Sequence, residues 1–203
     1  MRNILVMKKS FGNTTNPIFK NILTVSLILI ASLSRLIPHY PNFTSILAVA
    51  LFSTYYFKKN HIAILISLSA LWISDLLLNN IIYSDTYKNF TLFYNGFFWQ
   101  YLPIILIAII GKRILRKLSI GGLILSSLAS SLIFFIISNF GVWLNSSIYS
   151  SDINGLLTCY FAAFPFFLNT LISTLVYSIA LFFSYEFFIQ KNNISLIYNA
   201  RNN

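Results

Sequence analysis

Residues 101–138 read YLPIILIAIIGKRILRKLSIGGLILSSLASSLIFFIIS. Two apolar runs flank Lys112-Arg-Ile-Leu-Arg-Lys117, a cluster with four positive charges and no acid. Neither run alternates apolar and polar residues as a half-buried strand would. The second is uncharged from Leu118 to Ser151, longer than the ~20 residues that cross a hydrocarbon core. Two apolar helices joined by lysine and arginine are how a chain turns round at the cytoplasmic face of a membrane.

Outward from this hairpin the pattern repeats. Six apolar spans are expected at about 20–38, 43–59, 61–79, 97–111, 119–138 and 168–189. Most have the ~17–25 residues a crossing needs. The second is the shortest and follows Pro41, so it can begin inside protein rather than at lipid. Arg2, Lys8, Lys9 and Lys20 precede or open the first span, Lys58 and Lys59 follow the second, and Lys191 and Arg201 follow the sixth. Twelve of the 14 basic residues therefore fall at alternate gaps, while Arg35, Lys88, Asp85 and Asp152 fall at the others. The positive-inside rule then places both termini in the cytoplasm. The expected fold is an all-α polytopic membrane helix bundle, N-in and C-in. It has a basic cytoplasmic N-terminus over 1–19, a six-helix membrane domain over 20–189 and a cytoplasmic tail over 190–203. The first apolar run lacks a small-residue cleavage motif and reads as a retained helix.

Composition agrees. The chain is 57% hydrophobic and 9% charged, where soluble domains carry about 25% charged residues. The net charge of +10 does not point to nucleic acid, because the charges flank apolar segments instead of forming one patch. They read as topology determinants and as contacts to the lipid bilayer. One cysteine, Cys159, and two distant histidines, His39 and His61, offer no disulfide and no metal-ligand spacing. No catalytic set, cofactor motif or ATPase loop is legible, so an enzyme is not expected. Trp99 and Tyr101 read as interfacial anchors of the fourth span.

Polar residues at membrane depth ask for a reason, because each is costly there. Arg35 comes near the outer end of the first span and Asp75 near the outer end of the third, so they are expected to pair. The pair either stabilises the fold or forms one wall of a pocket. Trp72, three residues before Asp75, shares its helix face. Arg35-Leu-Ile-Pro-His-Tyr-Pro-Asn-Phe-Thr44 is a stiff, non-helical connection, because two prolines bracket His39 and Tyr40. His39 and Asn42 either bind a solute there or cap the second span. A second polar and aromatic region runs from Asn139-Phe-Gly-Val-Trp143 through Tyr160 to Asn169. The run Gly155–Ile189 has 35 residues, which as one helix would reach ~50 Å. Pro165 is expected to divide it into a half-helix over about 156–167 and the sixth span. Asn139 and Asn169 would then flank an outer cavity. Ser126, Ser127, Ser130 and Ser131 make a small-residue face on span five, for packing within the chain or against a partner. Glu186 is expected to reach towards the inner basic clusters.

Two groups of motifs resemble an uncharacterised bacterial family of small multispanning membrane proteins, a domain of unknown function. The first is Arg35-x-x-Pro-x-x-x-Asn-Phe43, Ala48–Phe52 and Ile73-Ser-Asp75. The second is Asn139-Phe-Gly-Val-Trp143, Gly155-Leu-x-x-Cys-Tyr160 and Phe164-Pro-Phe-Phe167. More distantly, the plan is similar to the substrate-binding S components of energy-coupling-factor vitamin transporters. That resemblance implies a multi-pass protein of the bacterial inner membrane. It also implies an outward pocket near Arg35, His39, Asn42, Asp75, Asn139 and Trp143, and an energising membrane partner. S components meet that partner through a small-residue motif on helix one, and there this chain departs from the pattern, offering only Ser26, Ala31 and Ser32.

Two functional expectations follow. The first is small-solute uptake through an outward-facing pocket drawing on Arg35, His39, Asn42, Trp72, Asp75, Asn139, Trp143, Tyr160 and Asn169. The second is a non-transporting scaffold subunit that docks a membrane partner on the serine face of span five.

Overall fold

The computed structural model describes residues 15–57, 59–115 and 118–202. The basic segment through residue 14 and Lys58, Arg116 and Lys117 lie outside the described residues. The described residues form six α-helices and no strand. They are α1 (Pro17–Leu33), α2 (Ile46–Tyr56), α3 (Asn60–Leu77), α4 (Phe98–Ile114), α5 (Ile120–Asn145) and α6 (Ile153–Asn202).

Local sequence sets several boundaries. The Asn16 side chain accepts from the Ile18 N–H at 2.8 Å and Pro17 takes the first helical position, so α1 starts there. Ser119 caps α5 by accepting from Gly122 N–H at 3.0 Å. Asp152 opens α6, accepting from Gly155 N–H and Ser150 Oγ, each at 2.7 Å. Those donors hold its carboxyl below the usual carboxylate range, the Gly155 N–H first among them.

Side-chain contacts sort the helix ends into two groups. At one end Lys112 Nζ donates to Asn60 Oδ1 at 3.2 Å, joining the end of α4 to the start of α3. There Tyr56 OH donates to Glu186 Oε1 at 3.0 Å, and Thr15 donates to Asn193. At the other end Arg35 meets Asp75, Trp99 meets Gly141 and Asn169 meets Pro41. Lys20, Lys59, Lys112, Arg113 and Lys191 therefore gather at the first end, and Arg35 and Asp75 at the second.

Along much of α5 and α6 the distribution of residue types is inverted relative to a water-soluble bundle. α5 buries Ser126, Ser127, Ser130 and Ser131, α6 buries Thr170, Ser173, Thr174 and Ser178, and the two sets meet where Ser131 Oγ donates to Thr174 Oγ1 at 3.5 Å. Their outer faces expose Leu125, Leu132, Ile136, Ile172, Val176 and Phe183. Lipid gives apolar side chains no reason to turn inward, so small residues take the contact and let backbones approach. Several buried hydroxyls bond their own helix, as Thr174 Oγ1 does to Thr170 O at 2.7 Å. The serine face of α5 is thus occupied within the chain.

Among the described residues, four helical stretches are long and apolar enough to cross a membrane. They are Pro17–Leu36, Asn60–Ile82, Ile120–Asn145 and Ile153–Ser195. The expected second span is shorter than read. α2 has 11 residues, roughly 16 Å, about half a hydrocarbon core. Ile46 to Thr54 are buried without interruption, and α1, α3, α4, α5 and α6 all pack against it. A helix apolar all round is stable where protein covers every face. α4 has 17 residues, its last turn carrying Lys112 and Arg113.

The expected break at Pro165 does not occur, and no separate half-helix covers 156–167. α6 runs through Pro165 for 50 residues, about 75 Å, and takes in the stretch expected as a separate tail. The reason is packing. Gly155, Cys159, Ala163, Thr170, Thr174, Ser178 and Leu181 form one buried stripe on both sides of the proline, which itself faces outward. Loss of one backbone hydrogen bond there, costing ~3 kcal/mol, is outweighed by a stripe that needs both flanks in register.

Candidate functional site

The site is built around the expected ion pair. Arg35 sits in a 3₁₀ turn, Ser34–Leu36, that ends α1. Its Nη1 lies 2.8 Å from Asp75 Oδ1, with the side chains 14% and 6% exposed. The same nitrogen donates to Ser74 Oγ, and to Leu71 O at 3.5 Å. Tyr101 OH donates to Asp75 Oδ2 at 3.0 Å. Tyr101 therefore turns inward instead of anchoring the interface. Arg35 Nε is buried and has no hydrogen-bond partner among the described residues.

Beside the guanidinium lies a cavity of about 80 Å³. Arg35, Asn42, Thr44, Tyr94, Gln100 and Thr170 bring polar atoms to its wall, and Ile46, Leu47, Leu71 and Phe134 complete it. Every helix, or the segment at its end, contributes. The α1–α2 connection closes one side through Asn42, whose φ of 60° is a left-handed conformation that asparagine tolerates. Asn169 Nδ2 donates to Pro41 O at 3.0 Å and ties this connection to α6.

A groove of about 250 Å³ adjoins the cavity between the start of α4 and the end of α5. Tyr94 and Gln100 belong to both walls. The loop that carries Tyr94 is clamped by Asn80. Asn80 Nδ2 donates to Thr91 O and to Leu76 O, each at 2.9 Å, and its Oδ1 accepts from Thr91 N at 2.7 Å. Asn80→Ala is expected to cost about 1–3 kcal/mol. It should speed amide exchange over 83–96 while α2 exchanges as before, which hydrogen-exchange mass spectrometry would read.

The sequence-predicted residues divide. Arg35 and Asn42 line the cavity, and Asp75 stands behind Arg35. Trp72 does not line it. Its ring packs 6.4 Å from Phe93, and its buried Nε1 has no partner among the described residues. His39 is exposed, its Nδ1 2.9 Å from Tyr40 O. Asn139 donates to Phe135 O at 2.8 Å within its own helix. Trp143 Nε1 donates to Ser150 O at 2.9 Å, bracing the turn into α6. Tyr160 OH donates to Ile136 O at 2.6 Å across the α5–α6 contact. Asn169 acts one residue away from the cavity-lining Thr170. Sequence reasoning missed Tyr94, Gln100, Thr44 and Thr170. Gln100, the one carboxamide in α4, was a readable signal.

Every residue of cavity and groove falls within the stretch that decides membership. The chain belongs to DUF6580, a family of unknown function. The family's profile matches residues 15–196, from just before α1 to near the end of α6. The expected kinship with an uncharacterised family is thereby met. No curated protein and no solved structure matches the chain. In this DUF6580 chain the ion pair, the cavity and the groove lie together at the end opposite the gathered lysines.

Proposed function

We propose that this chain is a multi-pass membrane protein that binds a small polar solute at the Arg35 end of its bundle and serves its uptake. Both termini lie in the cytoplasm of a bacterial inner-membrane protein in this reading, and the cavity faces outward. The supporting observation is a cavity between the helices whose wall carries the polar side chains of Arg35, Asn42, Thr44, Tyr94, Gln100 and Thr170. A cavity between helices with convergent polar groups on its wall is suited to hydrogen-bond a small solute. Asp75 and Tyr101 hold the guanidinium in place, and Asn42, Thr44, Gln100 and Thr170 supply further donors and acceptors. An S-component-like partnership with an energising subunit is the matching proposal for how uptake is driven. The scaffold alternative loses its supporting surface, because the α5 serine face is covered by the chain's own helices.

Native mass spectrometry of protein released gently from membranes tests the reading. A stoichiometric non-lipid solute is expected. Thr170→Leu fills the cavity and should lower retention at least tenfold, and its unfolding temperature is measured beside retention so that a packing defect is told apart from a filled cavity. Wild-type protein without such a solute, or a T170L variant that keeps it, would overturn the proposal.

A further inference from the structure

Resting on that reading, we propose that the solute is uncharged and carries a flat ring, with its compact acceptor end in the Arg35 cavity and its ring in the Trp99 groove. The two spaces share Tyr94 and Gln100 in their walls, so they lie side by side within the reach of one molecule. Charge balance decides against an anion. Asp75 already neutralises Arg35 at 2.8 Å, and every other side chain lining cavity or groove is neutral. A carboxylate placed in the cavity beside the Arg35 side chain would stand near the Asp75 carboxylate in a poorly hydrated site, where like charges repel strongly. A carbonyl or hydroxyl oxygen there accepts from the Asn42, Thr44 or Gln100 side chains without that cost.

The groove fixes the shape of the rest. Its wall is the Trp99 indole, and carboxamides of Asn95, Gln100 and Asn145 surround it. An indole wall favours the face or edge of a ring. Carboxamides offer both donors and acceptors and match a neutral hydrogen-bonding group. Gly141 sets the indole's position, because a Cβ there would fall 2.0 Å from Trp99 Cγ. The Asn139-Phe-Gly-Val-Trp143 motif therefore matters through its glycine, which lets α4 and α5 close on Trp99. Gly141 is a positioning residue in this scheme.

Benzamide and benzoate are a matched pair of probes, equal in shape and different in charge. Wild-type protein in lipid nanodiscs is titrated with each while tryptophan fluorescence and ligand-observed NMR are recorded. Saturable benzamide binding is expected, with benzoate at least tenfold weaker. Gly141→Ala should weaken benzamide at least fivefold. Gln100→Leu, which keeps volume and removes the amide, should do the same with an unchanged unfolding temperature, so a folding defect in G141A leaves the test intact. Equal or tighter benzoate binding overturns the neutral-solute inference. Benzamide binding that T170L abolishes but Q100L and G141A leave intact confines the solute to the cavity and refutes the groove, while the proposed solute site stands. Absence of saturable benzamide binding also refutes the inference. The solute site itself falls only if native mass spectrometry finds no retained solute.

Discussion

Asp75→Ala is expected to destabilise the protein by about 3–5 kcal/mol, the usual cost of leaving a buried charge without its partner. The carboxylate sits 2.8 Å from Arg35 and accepts from Tyr101 at 3.0 Å, with only 6% of its side chain exposed. Removing it leaves a guanidinium facing Leu71 and the start of α2, with Ser74 and backbone oxygen as its remaining acceptors. Removing both charges is gentler than removing one. Arg35→Leu with Asp75→Ala should recover most of the loss, giving a coupling energy of about 2 kcal/mol or more in a double-mutant cycle. Denaturant unfolding in detergent measures all four proteins. Additive single and double losses would mean that the two side chains stabilise the fold independently, and the pair would lose its place at the centre of the site.

The pair was legible in the sequence because the choice was so narrow. With 14 basic and 4 acidic residues in the chain, an arginine and an aspartate at similar depth have few other ways to offset burial. Direction was less legible than position. Prolines around His39 specify a stiff connection but not which way its imidazole points, and it points out. Asn139 and Trp143 carry polar groups that suit a ligand, yet a helix always offers a nearby carbonyl, and each found a local acceptor. Gly141 was visible between bulky aromatics, where an isolated glycine in a helix signals close approach. Pro165 shows the opposite error, since a local rule lost to a buried stripe extending on both sides of it. Inversion of the buried and exposed faces of α5 and α6 was half visible, as serines at four-residue spacing.

Phe52→Ala is expected to cost about 3–5 kcal/mol, whereas Phe183→Ala should cost less than about 0.5 kcal/mol. Both are phenylalanines in apolar helices, and composition alone treats them alike. Phe52 is fully buried at the middle of the bundle, with ring centroids of Tyr56, Phe182 and Tyr185 at 4.8, 5.2 and 5.9 Å. Its removal opens a cavity that five surrounding helices cannot all close. Phe183 is 51% exposed on the outer face of α6, where lipid tails replace the lost ring at little cost. Unfolding in detergent or bilayers compares the two directly. The site should feel only the first change, because Ile46 and Leu47 of α2 form part of the cavity wall. F52A should therefore also loosen solute retention, while F183A leaves it unchanged. Equal losses for the two variants would show that the outer face is packed against something other than lipid, and the membrane reading of the bundle would fail with it.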